Sequence, residues 1–305
     1  MKKEEILQVL PERLQNLIEG AVPDWEVLQE IHIRCGKMIT LTLRGKKIVP
    51  EQNGQVVSRK EFRETLEYIS NYSLYAFEEE IRKGYLTIPG GHRIGVAGKV
   101  VLEQGKVRTL RHISFLNIRI SHEIKGCAKE VLPYLFEQDR FLSTLLVSPP
   151  GAGKTTLLRD IVRNVASGGS FFSARNVSVV DERSEIAGCY LGVPQKDVGK
   201  YCDVLDACPK SEGIRMMIRS MAPEVIAVDE IGTRQDYEAM TYALTSGCAL
   251  LATVHGNSLQ HIREKPLWGQ ILTEQMFRRI VFLQIGNAPG MIRAVYDGKG
   301  QVIAE

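Results

Sequence analysis

The chain has 305 residues, of which 44% are hydrophobic and 25% charged, and its formal net charge is +3. This composition is that of a soluble globular protein and excludes wholesale disorder. The longest stretch without a charged residue or a histidine, residues 239–254, is shorter than the roughly 20 apolar residues of a membrane-spanning helix. Acidic and basic residues also interrupt any signal-peptide core near the amino terminus.

The charge balance and the cysteines narrow the class of protein further. The 39 basic residues barely exceed the 36 acidic ones, whereas a dedicated nucleic-acid binder usually shows a larger excess or a basic block. The six cysteines include no CxxC pair. They predict reduced thiols of a cytoplasmic protein rather than a disulfide framework or a metal site.

The first 125 residues predict an α+β domain. An amphipathic helix is expected over residues 4–20, with a break at Pro11. Ser58 and Glu61 form a capping-box pattern that begins a second helix, and residues 78–83 predict a short third one. Alternation of apolar and polar residues predicts an antiparallel sheet with one wet face, built from residues 30–34, 39–43, 47–49, 84–88, 92–101 and 113–120.

From residue 126 the pattern changes to continuous apolar runs separated by helical segments. The runs cover residues 143–147, 177–180, 225–228 and 249–254. Fully buried parallel strands have this pattern, and helices between them predict an α/β sheet that is covered on both faces. Residues 279–285 and 291–296 predict a hairpin that extends this sheet or packs beside it.

The segment from Ser148 to Thr156 follows the first of these runs and precedes an amphipathic helix expected over residues 155–166. Small residues allow backbone amides to approach phosphates, and the helix amino terminus favours their charge. Lys154 is expected to contact the β- and γ-phosphates of a nucleoside triphosphate, and the Thr155 hydroxyl to bind Mg²⁺. The predicted nucleotide-binding residues are Pro150, Gly151, Ala152, Gly153, Lys154, Thr155 and Thr156.

Another of these apolar runs, residues 225–228, is followed directly by Asp229 and Glu230. Asp229 is predicted to hold Mg²⁺ and Glu230 to polarise the attacking water, so the pair predicts a nucleotide hydrolase. Buried strands often end in acids at their solvent edge, so this pattern is informative because a phosphate loop precedes it.

Two further candidates follow neighbouring runs. Glu182, in the segment Asp181-Glu182-Arg183, is predicted to be an auxiliary acid for water or metal; a helix-capping acidic turn is the alternative. His255 is predicted to sense the γ-phosphate by hydrogen bonding. From the residues alone, a solvated loop histidine is an equal alternative.

These motifs, in this order, resemble those of the type II/type IV secretion (traffic) ATPases. Residues 148–155 and 225–230 are similar to the Walker A and Walker B motifs, residues 181–183 to the family's acidic box and residues 245–258 to its histidine box. The resemblance implies a RecA-like ATPase domain over residues 126–305, preceded by a smaller α+β domain over residues 1–125. It also implies a homo-hexameric ring that binds ATP and Mg²⁺. Departures are Ser148 and Asp229, where many members have glycine, and the lack of a proline in the acidic box.

The developing charge on a transferred phosphate requires cations, which an arginine from a neighbouring subunit can supply. In the resembled family ATP lies between the amino-terminal and ATPase domains of neighbouring subunits. Arg111 and Arg119 are therefore predicted to act in catalysis. Arg93, Arg215 and Arg219 are further candidates, and any of the five could instead be an ordinary surface arginine.

Three phrases resemble one branch of the superfamily, the sporulation ATPases: residues 148–156, 180–188 and 228–232. The resemblance implies an ATPase on the mother-cell side of the channel apparatus that links mother cell and forespore. Its expected partners are membrane-embedded channel proteins of that apparatus, so a cytoplasmic protein held peripherally at the membrane is predicted.

Two other functions remain open at this point. One is a nucleic-acid-dependent ATPase, for which the short basic clusters at residues 44–47 and 278–279 would contact a phosphate backbone. The other is a regulatory module that binds ATP without hydrolysing it. Glu230 argues against the second, because a sensor needs no catalytic carboxylate.

Overall fold

A computed structural model gives the conformation of the chain and describes residues 2–51, 54–71 and 77–304. The chain divides into two compact units, Met1–His122 and Glu123–Glu305. Each unit contains its own sheet. The domain boundary after residue 125 stays a prediction.

The amino-terminal unit combines helices with a six-stranded sheet of strand order β3-β2-β1-β6-β5-β4. Every pairing in it is antiparallel, as predicted from the alternating pattern. The elements are α1 (Lys2–Leu7), α2 (Glu12–Ala21), β1 (Leu28–Arg34), β2 (Thr40–Leu43), β3 (Lys46–Ile48), α3 (Arg59–Ile69), α4 (Glu78–Lys83), β4 (Tyr85–Ile88), β5 (His92–Glu103) and β6 (Lys106–Arg119).

One face of this sheet is buried and the other is wetter. Ile31 and Ile33 of β1 and Ile94 of β5 are fully buried, while their neighbours along each strand are partly exposed. The strand predicted over residues 113–120 is only the end of the longer β6, which pairs with β5 along most of its length.

Helix α3 begins with the predicted capping box. Glu61 Oε2 accepts hydrogen bonds from the Ser58 backbone N–H at 2.8 Å and from its hydroxyl at 2.7 Å. Arg13 of α2 also donates to Glu61, at 2.5 Å. Partial burial opposes ionisation of Glu61. The hydrogen bonds from Arg13 and Ser58 and the positive charge of Arg13 outweigh it and lower the pKa of Glu61 to about 2.

Arg13→Met is expected to destabilise the amino-terminal unit by about 1 kcal/mol at pH 7, a value discounted for the partial exposure of this pair. Because the pKa of Glu61 is lowered on folding, the stabilisation is present above the unfolded value near 4.5 and is lost as the pH falls toward 2. Urea unfolding in a Trp268→Phe background, where Trp25 alone reports, measures the difference. Lys60→Met, at an exposed pair with Glu64, is the control and should change stability little; an Arg13 effect that persists unchanged at pH 3 would contradict this assignment.

The carboxyl-terminal unit contains an eight-stranded sheet of order β11-β10-β12-β13-β9-β14-β15-β16 and a two-stranded one, β7-β8. Its elements are β7 (Phe136–Glu137), β8 (Arg140–Phe141), β9 (Thr144–Ser148), α5 (Lys154–Ser167), β10 (Val177–Asp181), β11 (Cys202–Asp206), α6 (Lys210–Met221), β12 (Val225–Val228), α7 (Arg234–Thr245), β13 (Ala249–His255), α8 (Leu259–Arg263), α9 (Pro266–Thr273), β14 (Arg279–Leu283), β15 (Ile292–Asp297) and β16 (Val302–Ala304).

The six strands from β11 to β14 in this order are parallel, and two apolar layers cover the sheet. Leu146 of β9 and Leu157 of α5 belong to one layer. Leu145 and Val147, its neighbours in β9, belong to the other layer together with Met240 of α7. Alternate residues of one strand thus face different helices, which confirms the predicted sheet covered on both faces.

The predicted hairpin near the carboxyl terminus extends the large sheet. β14 pairs in parallel with β9 and antiparallel with β15, which in turn pairs with β16. Among the described residues, no helix is long and apolar enough to cross a membrane.

Candidate active site

The order of the parallel strands brings four loops to one edge of the large sheet. β9 leads into the phosphate loop, β13 ends at His255, β12 leads to Asp229, and β10 ends at Asp181. Because β13 lies between β9 and β12, His255 is placed between the phosphate loop and the acids after β12. Ligands of open α/β sheets bind at the carboxyl ends of the strands.

The phosphate loop joins β9 to α5 through two glycines in left-handed conformations, Gly151 at φ 81° and Gly153 at φ 85°. Gly153 directly precedes α5, and no side chain of the described residues caps the helix there. The first backbone N–H groups of α5 are therefore available to an anion, as are those of other helices that bind phosphate. All seven predicted nucleotide-binding residues lie in this loop and the first turn of α5.

The turn between β14 and β15 supports the phosphate loop, a contact that the sequence did not suggest. The Gly290 backbone N–H donates to the Ala152 carbonyl at 2.8 Å. A Cβ on Gly153 would lie 2.4 Å from the Cβ of Pro289. Glycine is thus required at position 153 both by its backbone conformation and by this close approach.

The first residues of α5 contact the ends of the two central strands. The Thr155 hydroxyl donates to Asp229 Oδ2 at 2.8 Å. Lys154 Nζ lies 3.5 Å from His255 Nε2. The structure therefore brings together Lys154, Thr155, Asp229 and His255, which were predicted separately from three motifs.

Glu230 completes the cluster. Its carboxylate accepts a hydrogen bond from Arg183 Nη1 at 2.8 Å, and its Oε1 lies 3.7 Å from His255 Nε2. The Nδ1 atom of His255 is buried and has no hydrogen-bond partner among the residues that the structure describes. Arg183 was singled out only as part of the acidic box, so its contact with Glu230 is a finding of the structure.

Thr253 is a further site residue that sequence reasoning missed. Its fully buried hydroxyl donates to Asp229 Oδ1 and accepts from the Glu230 backbone N–H at 2.9 Å. Glu230 has φ 48°, a left-handed conformation that is strained for a residue with a side chain. The Thr253 hydroxyl thus fixes both acids at the end of β12. In the sequence, its position two residues before His255 is the one feature that indicates a role at the site.

The acidic segment after β10 divides into a buried and an exposed carboxylate. Asp181 accepts backbone hydrogen bonds from Glu185, Ile186 and Ala187 at 2.8–2.9 Å. Burial raises the pKa of Asp181 to about 6 despite these three donors. Asp181 thus organises the loop that follows it. The guanidinium of Arg159, buried in α5, donates to the Ile186 carbonyl in the same loop and links it to the phosphate-loop helix.

Glu182, the predicted auxiliary acid, is partly exposed and forms an ion pair with Lys210 at the start of α6. No described contact links it to Asp229 or Glu230. Its role as an auxiliary acid stays a prediction.

The two predicted catalytic arginines lie in the amino-terminal unit, on β6. Both are exposed; Arg119 lies 4.0 Å from Glu30, which is opposite it in β1. In the carboxyl-terminal unit, Arg215 lies over the ring of Tyr242 at 5.6 Å, an arrangement typical of a packing arginine. The roles of Arg111 and Arg119 stay predictions.

The cluster after β9, β12 and β13 fits a nucleoside triphosphate with a divalent cation. The hydroxyl of Thr155 and the carboxylate of Asp229 are oxygen ligands of the type that Mg²⁺ prefers, and they are adjacent. Lys154 and the open amino terminus of α5 supply positive charge for phosphate oxygens.

Solved structures show the class of protein that has this fold. The pilus retraction motor PilT with bound ADP matches with a TM-score of 0.62 at 16% identity, over 98% of this chain and 83% of that chain. The ATPase DotB of Legionella pneumophila matches with a TM-score of 0.59 at 16% identity, over 90% of this chain and 76% of that chain. The chain therefore has a mixed α/β fold similar to that of secretion and pilus ATPases.

Sequence comparison gives the family. The chain is 42% identical over 302 residues to stage III sporulation protein AA of Bacillus subtilis (strain 168), an alignment that covers 98% of this chain and 97% of that protein. The profile of the family described as "Sporulation stage III, protein AA" matches residues 1–303. The chain belongs to this family, which confirms the resemblance to the sporulation branch.

Proposed function

We propose that this protein hydrolyses Mg-ATP and acts as a motor of the channel apparatus between mother cell and forespore. The observation that carries the proposal is the cluster of Lys154, Thr155, Asp229, Glu230 and His255 at one edge of the sheet. The binding of ADP to PilT, which shares the fold, also supports nucleotide use.

Each residue of the cluster has a role that its chemistry allows. Lys154 would neutralise the β- and γ-phosphates, and Thr155 and Asp229 would hold Mg²⁺, which would stabilise the charge of the transferred phosphoryl group. Glu230 orients and polarises the attacking water. His255 lies between Lys154 and Glu230, so γ-phosphate binding to Lys154 would leave Nε2 free to contact the phosphate instead.

A homo-hexameric ring is part of the proposal. Among the described residues of this unit, Lys154 is the cation at the phosphate loop, and Arg183, the cation at Glu230, is paired with that carboxylate. Phosphoryl transfer needs more positive charge in the transition state, which Arg111 or Arg119 of a neighbouring subunit would provide. The proposed subunit comprises a smaller domain over residues 1–125 and a RecA-like domain over residues 126–305. Membrane-embedded channel proteins would hold the ring at the cytoplasmic surface of the membrane, on the mother-cell side.

ATP turnover of the purified full chain tests the proposal, with Mg²⁺ or with excess chelator, and with or without single-stranded DNA. We expect turnover that requires Mg²⁺ and is unchanged by the DNA. Stimulation by DNA that falls steeply with salt would favour the nucleic-acid-dependent ATPase instead.

Thr253→Val is expected to reduce kcat about tenfold to a hundredfold, because the isosteric methyl group removes the hydrogen bonds to Asp229 and to the Glu230 backbone. Thr253→Ser keeps the hydroxyl and should recover most of the activity. Steady-state ATPase assays measure both. Thr241→Val, which removes a hydroxyl that donates to the Tyr237 carbonyl of its own helix, is the matched control. Equal activity of the Thr253→Val and wild-type proteins would show that Thr253 does not position the acids.

A further inference from the structure

Strands β5 and β6 continue beyond the strands that flank them. β4 pairs with β5 only as far as Gly95, and β1 pairs with β6 only from Phe115 onward. Residues 98–111 therefore form a two-stranded ribbon, here called the arm, whose strands pair only with each other among the described strands. A bulge opposite Gly98, where His112 has φ 50°, separates the arm from the rest of the sheet.

The register of the arm places aliphatic and basic residues on different faces. Val100 is opposite Leu110 and Leu102 is opposite Val107, so these four side chains share one face. The cross-strand pairs on the other face are Lys99 with Arg111, Val101 with Thr109 and Glu103 with Lys106. A second register shift, between Val101 and Leu102, adds Arg108 between Val107 and Thr109. The arm is thus an amphipathic ribbon with four aliphatic residues grouped on one face.

Three of these four side chains are exposed, and Leu110 is half-buried. Val100 is 46% exposed, Leu102 62% and Val107 40%. An isolated two-stranded ribbon is marginally stable in water, and its stability increases when an apolar surface covers one face. Exposed apolar side chains grouped in this way mark an interaction surface.

The charge of the arm indicates what covers it. Four basic residues, Lys99, Lys106, Arg108 and Arg111, accompany one acidic residue, Glu103, which is paired with Arg108 at 3.3 Å. A protein groove that receives an aliphatic face needs no particular charge on the opposite face. An anionic bilayer favours positive charge near the aliphatic face, because long basic side chains there can reach the lipid phosphates along their flexible stems.

We propose that the arm binds directly to the surface of an anionic lipid bilayer. The aliphatic face of Val100, Leu102, Val107 and Leu110 enters the boundary between headgroups and acyl chains. Lys99, Lys106 and Arg108 contact the headgroup phosphates. Each arm supplies only a few apolar side chains and a small positive charge, so binding by one chain is weak and reversible.

This proposal is tested independently of ATP hydrolysis, since none of the residues changed below is in the nucleotide cluster and Arg111, which the proposed function assigns to catalysis, is left unchanged. It differs from attachment through a channel protein, because pure lipid vesicles suffice for it. Its failure would leave the proposed ATPase activity untouched, and loss of ATPase activity would leave vesicle binding unchanged.

Co-sedimentation of the full chain with vesicles tests the proposal. We expect binding to phosphatidylcholine vesicles that contain phosphatidylglycerol, and little binding to phosphatidylcholine alone. Leu102→Asn combined with Val107→Asn should reduce the partition coefficient about tenfold. Lys106→Glu combined with Arg108→Glu should reduce binding to the anionic vesicles similarly, and added salt should weaken binding by the wild type.

Leu191→Asn is the matched control, because Leu191 is 76% exposed in the other unit; it should bind as the wild type does. Circular dichroism checks that each variant is folded, and the charge variant, which leaves the aliphatic face intact, provides a second test should the double asparagine variant fail to fold. Wild-type binding that is absent, or that neither pair of substitutions reduces, would overturn the proposal. Vesicle binding that is absent while the asparagine variant lowers the mass of the assembly would show that another protein chain covers the arm.

Discussion

Glu230→Gln is expected to reduce magnesium-dependent ATP turnover about a thousandfold while ATP binding persists. The amide has the size of the carboxylate but cannot accept a proton or carry the charge that polarises water. Asp229, Thr155 and Lys154 keep their positions, because the Thr253 hydroxyl binds the Glu230 backbone rather than its side chain. Single-turnover hydrolysis of ATP gives the rate, and titration with a fluorescent ATP analogue gives the affinity.

Glu238→Gln is the matched control for this change. Glu238 is an exposed residue of α7 that lies 3.7 Å from Arg234 of the same helix. Glu182→Gln, tested beside it, distinguishes an auxiliary acid from a partner of Lys210. Wild-type turnover in Glu230→Gln would exclude Glu230 as the residue that activates water.

Lys154→Ala is the second change with a large expected effect. It removes the ammonium group at the start of α5, which lies beside His255. The charge-assisted hydrogen bonds to the phosphates are lost with it. We expect the affinity for ATP to fall about a hundredfold and turnover to fall below detection. Equilibrium binding of the ATP analogue and steady-state turnover measure the two effects.

Lys129→Ala serves as its control, since Lys129 is exposed in the same unit. Unlike Glu230→Gln, which separates binding from hydrolysis, Lys154→Ala should weaken both. Unchanged affinity in Lys154→Ala would mean that the loop after β9 does not bind the phosphates, and the proposed site would be wrong.

Much of the fold follows from patterns along the chain. The continuous apolar runs predicted β9, β10, β12 and β13 to within one residue, because strands buried on both faces tolerate few polar side chains. The capping box at Ser58 is present as predicted, since its hydrogen bonds join residues three apart. Local patterns therefore gave reliable predictions wherever the determining contacts are local.

Other elements depend on tertiary packing and escaped prediction. α6 contains Gly213, a poor helix former, yet a Cβ there would lie 2.4 Å from Cγ1 of Val180. In β11, which forms the edge of the sheet, more buried and more exposed residues alternate only weakly. In both places the fold constrains the residue through contacts distant in sequence, so propensity alone is uninformative.

The candidate site shows the same division. The phosphate loop and the two acids after β12 were evident as motifs. Thr253, Arg183 and the turn at Pro289 act through hydrogen bonds or close packing across neighbouring elements. Only the strand order, with β13 between β12 and β9, brings these partners together.

The most direct test of the proposed motor is ATP turnover by the purified wild-type chain, measured together with the mass of the assembly with and without Mg-ATP. We predict magnesium-dependent turnover and a hexamer that nucleotide favours, since neighbouring subunits are proposed to supply Arg111 or Arg119. Tight ATP binding without turnover in an assembled ring would contradict the proposed role of Glu230 and the motor with it.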